Sequence, residues 1–233
     1  MGAKCMLRWV NADTVNKDNP RAVLLALVKV LEGLDGRSHS KWKTLCTALK
    51  QSKADDSKGT GANDMHVVMF SEMPNRQYLL LRQERQVMEA DKSVKGLLDK
   101  LGLHALKHVL EFEGSTYIAG DFSVKLGRAS TPSKDFKGIV VEIEYMPISN
   151  LVIALPILNE FITVLQQAIA THQAELLARG PADERCRGQL EKVTAPYAEY
   201  SLPPQFSFLH AAAQYVAVCS ALLATPRLAP ATT

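Results

Sequence analysis

The sequence predicts an α+β fold: a barrel of roughly eight mostly antiparallel strands with flanking α-helices. Three observations lead there: short alternating runs of apolar and polar residues, brief polar turns between them, and two long segments of helical spacing at positions 20–34 and 151–172. Short connections favour antiparallel pairing. Eight strands in an open sheet would leave two unpaired edges, which closure removes, and the two long helices are available to cover or plug such a barrel. At 233 residues the chain is expected to form a single domain over 1–233, burying roughly 70% of its unfolded surface.

Lys4–Val10 reads as the first strand. Asp18-Asn19-Pro20 then offers a capping side chain followed by proline at the first helical position, where a missing N–H costs nothing. Val23, Leu27, Val30, Leu31 and Leu34 fall on one face of the helix that follows, and Gly36 ends it. Trp42–Leu49 is a second strand. Residues 51–64 are polar, contain glycine and show no periodicity, so a flexible loop is expected there. Met65–Phe70, Gln77–Arg82 and Gln86–Glu89 form a meander, and Lys92–Leu101 a short helix stopped by Gly102. Strands resume at Leu106–Phe112, turn at Glu113-Gly114-Ser115, return through Thr116–Leu126 and finish with Gly138–Met146.

Beyond Pro147 a helical stripe of Leu158, Phe161, Ile162, Leu165 and Ile169 appears, with Pro156 placed to open or kink the helix. Residues 179–204 carry four prolines and two glycines and read as a surface excursion with about one turn of helix. His210–Leu223 is an alanine-rich closing helix, and 227–233 a frayed tail.

Composition excludes several classes. A hydrophobic fraction of 47% and a charged fraction of 22% are ordinary globular values. A net charge of +3 is too small to argue for nucleic acid. Cys5, Cys46, Cys186 and Cys219 form no CxxC pair, which points to a reducing compartment rather than a disulfide framework or a zinc knuckle. The first ten residues lack the apolar core of a secretion signal, and no uncharged apolar run reaches the roughly 18 residues of a membrane span. Neither secretion nor membrane insertion is expected. Met6 stands where a myristoylation signal carries Ser or Thr.

Glu111/Glu113 and Glu142/Glu144 carry the chemistry of most interest. Carboxylates two apart on a strand project from one face and can offer oxygens to one hard cation. In this they are similar to triphosphate tunnel enzymes, which hold a metal with such pairs inside an eight-stranded tunnel. That resemblance implies a metal-dependent triphosphate hydrolase, but its pattern places a lysine where this chain has Met146. The plainer reading puts Val141, Ile143 and Tyr145 toward the core and Glu142 and Glu144 toward water. His104 and His108 would be separated on a strand and have no third ligand nearby. Ser71 and Ser123 lack a nucleophile elbow, and Gly59-Thr-Gly61 precedes no helix. Lys41, Lys43, Lys50, Lys53 and Lys58 would be the contacts of a direct nucleic-acid binder. No catalytic residue, cofactor or metal is expected.

A broader likeness runs through Leu7-Arg8-Trp9, through Gly36 to Trp42-Lys43, and through YLLLRQERQVMEAD at 78–91. It continues in GDFSVKLG at 120–127 with Arg128, in KGIVVEIEYMPIS at 137–149, and in AQYV at 213–216. These segments resemble the Mediator complex subunit 20 family in its plant and algal forms. The likeness is strongest over Tyr117–Ser149 and departs after Lys50 and over Gln173–Pro204. It implies a partly open barrel with flanking helices, shaped like a triphosphate tunnel but without the catalytic set. It also implies a nuclear, non-enzymatic subunit of the Mediator head module. Its partners would be subunit 18 directly and subunit 8 through it, and its role a transcription coregulator linking regulators to RNA polymerase II, with no direct contact to nucleic acid.

Overall fold

The computed structural model describes residues 1–11, 19–51, 64–102, 104–178 and 187–224. Of the loop expected over 51–64, residues 52–63 lie outside this set, as do 179–186 of the surface excursion and the tail 227–233.

One antiparallel sheet organises the chain. Its strands are β1 (Ala3–Asn11), β2 (Arg37–Gln51), β3 (Asp64–Phe70), β4 (Arg76–Leu81), β5 (Gln86–Asp91), β6 (His104–Ala119), β7 (Phe122–Ser130), β8 (Phe136–Tyr145) and β9 (Gly188–Val193). They lie in the order β5-β4-β3-β2-β6-β7-β8-β1-β9, so β5 and β9 are free edges and the barrel is open.

Among the described residues four α-helices accompany the sheet: α1 (Pro20–Gly33), α2 (Ser93–Leu101), α3 (Leu151–Ala178) and α4 (Phe208–Leu223). The start of α1 follows the sequence signal, since the Asn19 side chain accepts a hydrogen bond from the Arg21 N–H at 3.0 Å and Pro20 opens the helix. At its other end Asp35, at φ 59°, takes the left-handed position. The Gly36 N–H reaches back to the Leu31 carbonyl at 2.8 Å, and that of Asp35 to Glu32 at 3.1 Å, a Schellman closure. In α3, Asn150 caps the Val152 N–H at 3.0 Å, so the helix begins before Pro156, which stands inside it.

Helices lie on both faces of the sheet. α1 and α3 lie on the outer face against β1, β7 and β8, and α3 buries Ala154, Leu158, Ile162, Leu165 and Ile169. α4 fills the concave side, where Tyr215 meets the rings of Trp42, Phe70 and Phe112 at centroid distances of 6.4, 5.5 and 5.1 Å. Ala211, Ala212 and Ala213 are buried and let the helix approach the strands closely. The two long helices therefore cover the barrel, and the closing helix plugs it.

Two expectations need correction. The turn expected at Glu113-Gly114-Ser115 is absent: β6 continues through it, and the chain reverses at Gly120, whose φ of +57° suits glycine. Gly114 lies opposite Gly127, so close that a Cβ on it would sit 2.0 Å from the Leu126 carbonyl oxygen. Here glycine marks a crimp between strands, not a turn. The second correction is β9 inside the surface excursion, where Leu190 is buried and the strand pairs with β1 from Met6↔Val193 to Asn11↔Gly188. Among the described residues there are nine strands, against roughly eight expected.

Candidate functional site

β8 alternates as the sequence implies, but both its faces are covered. Val141 and Ile143 point outward beneath the covering helices, while Glu142 and Glu144 point into the concavity. Glu142 is only 2% exposed, which corrects the expectation that this pair faces water. The parity was right; α4 occupies the side assigned to solvent.

The inward carboxylates are neutralised from neighbouring strands. Lys4 on β1 places its Nζ 2.7 Å from Glu142 Oε1 and 3.2 Å from Glu144 Oε2. Lys125 on β7, opposite Glu142 in register, lies 3.4 Å from the same Glu142 oxygen and also pairs with Glu72. Its ammonium sits 5.6 Å from the Trp42 ring centroid. The Gly2 N–H donates to Glu144 Oε1 at 2.6 Å. Burial pushes the Glu142 carboxyl up, but Lys4 and Lys125 outweigh it and hold the group down at about 2. Burial likewise depresses the Lys4 ammonium, and the two glutamates reverse the sign and raise it. Tyr215 is pushed up by burial and then by the Glu142 charge.

Lys4 Nζ thus bridges the two carboxylates in the position that a bound cation would take. Sequence reasoning looked for the compensating lysine at Met146 and missed Lys4 and Lys125. Their signal was a lone lysine within each of the strand runs AKCMLRWV and FSVKLG.

Glu111 and Glu113 lie on the opposite, outer face of the sheet, because Phe112 between them points inward against Tyr215. Glu113 accepts from the Arg128 guanidinium at 2.6 and 3.0 Å, and that bond holds its carboxyl below the usual range. Glu111 pairs with Lys43 at 3.2 Å and Lys134 at 3.5 Å. The four carboxylates do not meet at one site.

His104 and His108 sit four residues apart on β6, about 13 Å at strand rise. His108 instead approaches His66 on β3, ring to ring at 6.3 Å. Among the described residues no group of three or more His, Cys, Asp or Glu is placed to hold a metal ion. Cys5, Cys46 and Cys219 are buried free thiols, and Cys186 lies outside the described residues. Ser71 accepts the Lys43 N–H at 3.1 Å on the outer face. Lys41, Lys43 and Lys50 are exposed, and Lys53, Lys58 and Gly59-Thr-Gly61 lie outside the described residues.

α3 adds a surface feature. Val152 is 74% and Ile153 56% exposed, with Leu155 and Val164 also open, and Glu160 is the one Asp, Glu, Lys or Arg in 151–174. By length and composition α3 could cross a membrane, and its buried stripe packs on the sheet.

Comparison with known proteins gives three kinds of likeness. The sequence model of the family described as "TATA-binding related factor (TRF) of subunit 20 of Mediator complex" matches residues 1–219. Mediator of RNA polymerase II transcription subunit 20b of Arabidopsis thaliana is 28% identical over 150 residues, which span 64% of this chain and 68% of that protein. Among solved structures, a chain of the Schizosaccharomyces pombe Mediator head module aligns at 12% identity and a TM-score of 0.35, covering 76% of this chain and 92% of that one. The PH1012 protein of Pyrococcus horikoshii aligns at 16% identity and a TM-score of 0.41, covering 71% and 90%. The Pct1 RNA triphosphatase of S. pombe aligns at 8% identity and a TM-score of 0.33, covering 76% and 75%.

Proposed function

Because the chain belongs to the Mediator subunit 20 family, matched over residues 1–219, we propose that it is a non-enzymatic structural subunit of the Mediator head module. It acts in the nucleus, pairs directly with subunit 18, reaches subunit 8 through that partner, and helps link regulators to RNA polymerase II. The family match carries this reading. The exposed apolar row on α3 supports it, since an obligate partner face is depleted of charge and commonly buries 2,000 Å² or more in total.

The interior charge cluster supports a role without catalysis. A tunnel hydrolase needs its carboxylates convergent and open to a triphosphate and metal. Here Glu142 and Glu144 hold Lys4 beneath α4, and Glu111 and Glu113 face the other way. Phosphate release from nucleoside or inorganic triphosphate with manganese or magnesium is expected to be the same for the parent chain and for the Glu142→Ala and Glu144→Ala variants. Turnover lost with either glutamate would favour a hydrolase. Co-expression with a subunit 18 homologue tests the assembly role directly: a 1:1 complex that survives gel filtration is expected, and two separate species would contradict it.

A further inference from the structure

The outer face carries a groove of about 700 Å³ beside α1. Leu24 and Val28 of α1 form one wall, Tyr117 and Leu126 add apolar lining, and the crimped Gly114–Gly127 backbone forms the floor, with the Trp42 ring behind it on the concave side. Glycine is required there, because a Cβ on Gly127 would come within 2.7 Å of Trp42 Cζ2. The Trp42 indole Nε1 is buried and makes no hydrogen bond among the described residues.

Cations stand at the mouth. Lys41 is exposed, bonds only the Ser115 hydroxyl at 2.8 Å, and forms no ion pair among the described residues. Lys43 and Arg128 are also exposed, and their pairs with Glu111 and Glu113 lie at the surface, where partners exchange at little cost. Three cations against the single lining carboxylate of Glu113 give the groove a positive mouth over an apolar floor.

We propose that this groove docks a short acidic protein segment bearing an aliphatic or aromatic anchor. The anchor lies against Leu24, Val28 and Leu126, and the flanking carboxylates meet Lys41, Lys43 and Arg128. The size is within the usual range for sites that enclose a few side chains. Nucleic acid fits less well, because the groove walls are aliphatic and offer no exposed aromatic ring for a base to stack on.

The test uses the full chain and fluorescently labelled peptides of alternating Asp and Leu with one central Phe. Control peptides replace every Leu and Phe by Ser at the same charge, or every Asp by Lys. Binding of the first peptide alone is expected, weakened about tenfold or more by Lys41→Glu with Lys43→Glu. A site-specific readout is available in a carbon–proton correlation spectrum: the methyl signals of Leu24 and Val28 in the groove move, and those of Val152 and Ile153 on α3 stay. Equal binding of the Ser-substituted peptide, insensitivity to charge reversal, unmoved Leu24 and Val28 methyl signals, or preference for a single-stranded or duplex oligonucleotide would each overturn the proposal. None of these readouts depends on subunit 18, so this inference and the assembly role can fail separately.

Discussion

Removing the Glu142 carboxylate leaves two ammonium groups, Lys4 and Lys125, inside the concavity without their shared partner. Lys4 keeps Glu144 and Lys125 keeps Glu72, so Glu142→Ala is expected to cost roughly 1.5–3 kcal/mol in urea unfolding, the loss of a buried charge-assisted partner. Glu111→Ala removes a carboxylate whose partners are largely solvated, and about 1 kcal/mol or less is expected. Equal losses would contradict the placement of the two pairs on opposite faces. Acid sensitivity follows from the same residues. His66 is held down at about 4 by burial first, with Arg82 and His108 adding to it. Its depressed value means that the unfolded chain takes the proton first, so stability is whole above pH 6.5 and falls between 6.5 and 4. His108 and His210 shift in the same direction. Glu142, lowered from 4.5 to about 2, contributes stability that is lost only below pH 4.5. Thermal melts across pH 7 to 3 should show the upper step shrink in His66→Leu while the lower one remains.

At the level of elements, the left-handed end of α1 offers a simple check. Asp35→Gly relieves a side chain from φ 59° and is expected to stabilise the chain by up to about 1 kcal/mol, read as a raised melting temperature. Gly114→Ala should do the opposite, preventing the close approach of β6 and β7 and greatly reducing soluble yield. These two positions also indicate what the sequence could and could not reveal. The Asn19-Pro20 start of α1 was legible because capping is local. The stripe on α3 was legible because burial follows helical spacing. Gly114 misled because a glycine between alternating runs looks the same whether it bends one strand or admits another. β9 was hidden because its strand character depends on an edge of β1 that no local pattern announces. The site divided in the same way: the alternation of Glu142 and Glu144 was plain, but their burial depends on α4, which arrives more than 60 residues later in the chain.

For the molecule as a whole, with helices on both faces of the sheet, α3 is the long apolar element with an open side. Val152→Asp with Ile153→Asp is expected to leave the melting temperature within about 2 °C, since both side chains are exposed, while weakening capture of a subunit 18 homologue. A drop in stability without a loss of capture would remove α3 from the partner face. The account's central claim is that this chain works as a stoichiometric part of a Mediator assembly. It is tested most directly by tagging the chain at its native locus, purifying it from nuclear extract and quantifying what copurifies. The account expects subunit 18 at one-to-one ratio, with subunit 8 and other head-module subunits present. Recovery of the chain alone, or with partners unrelated to Mediator, would contradict it.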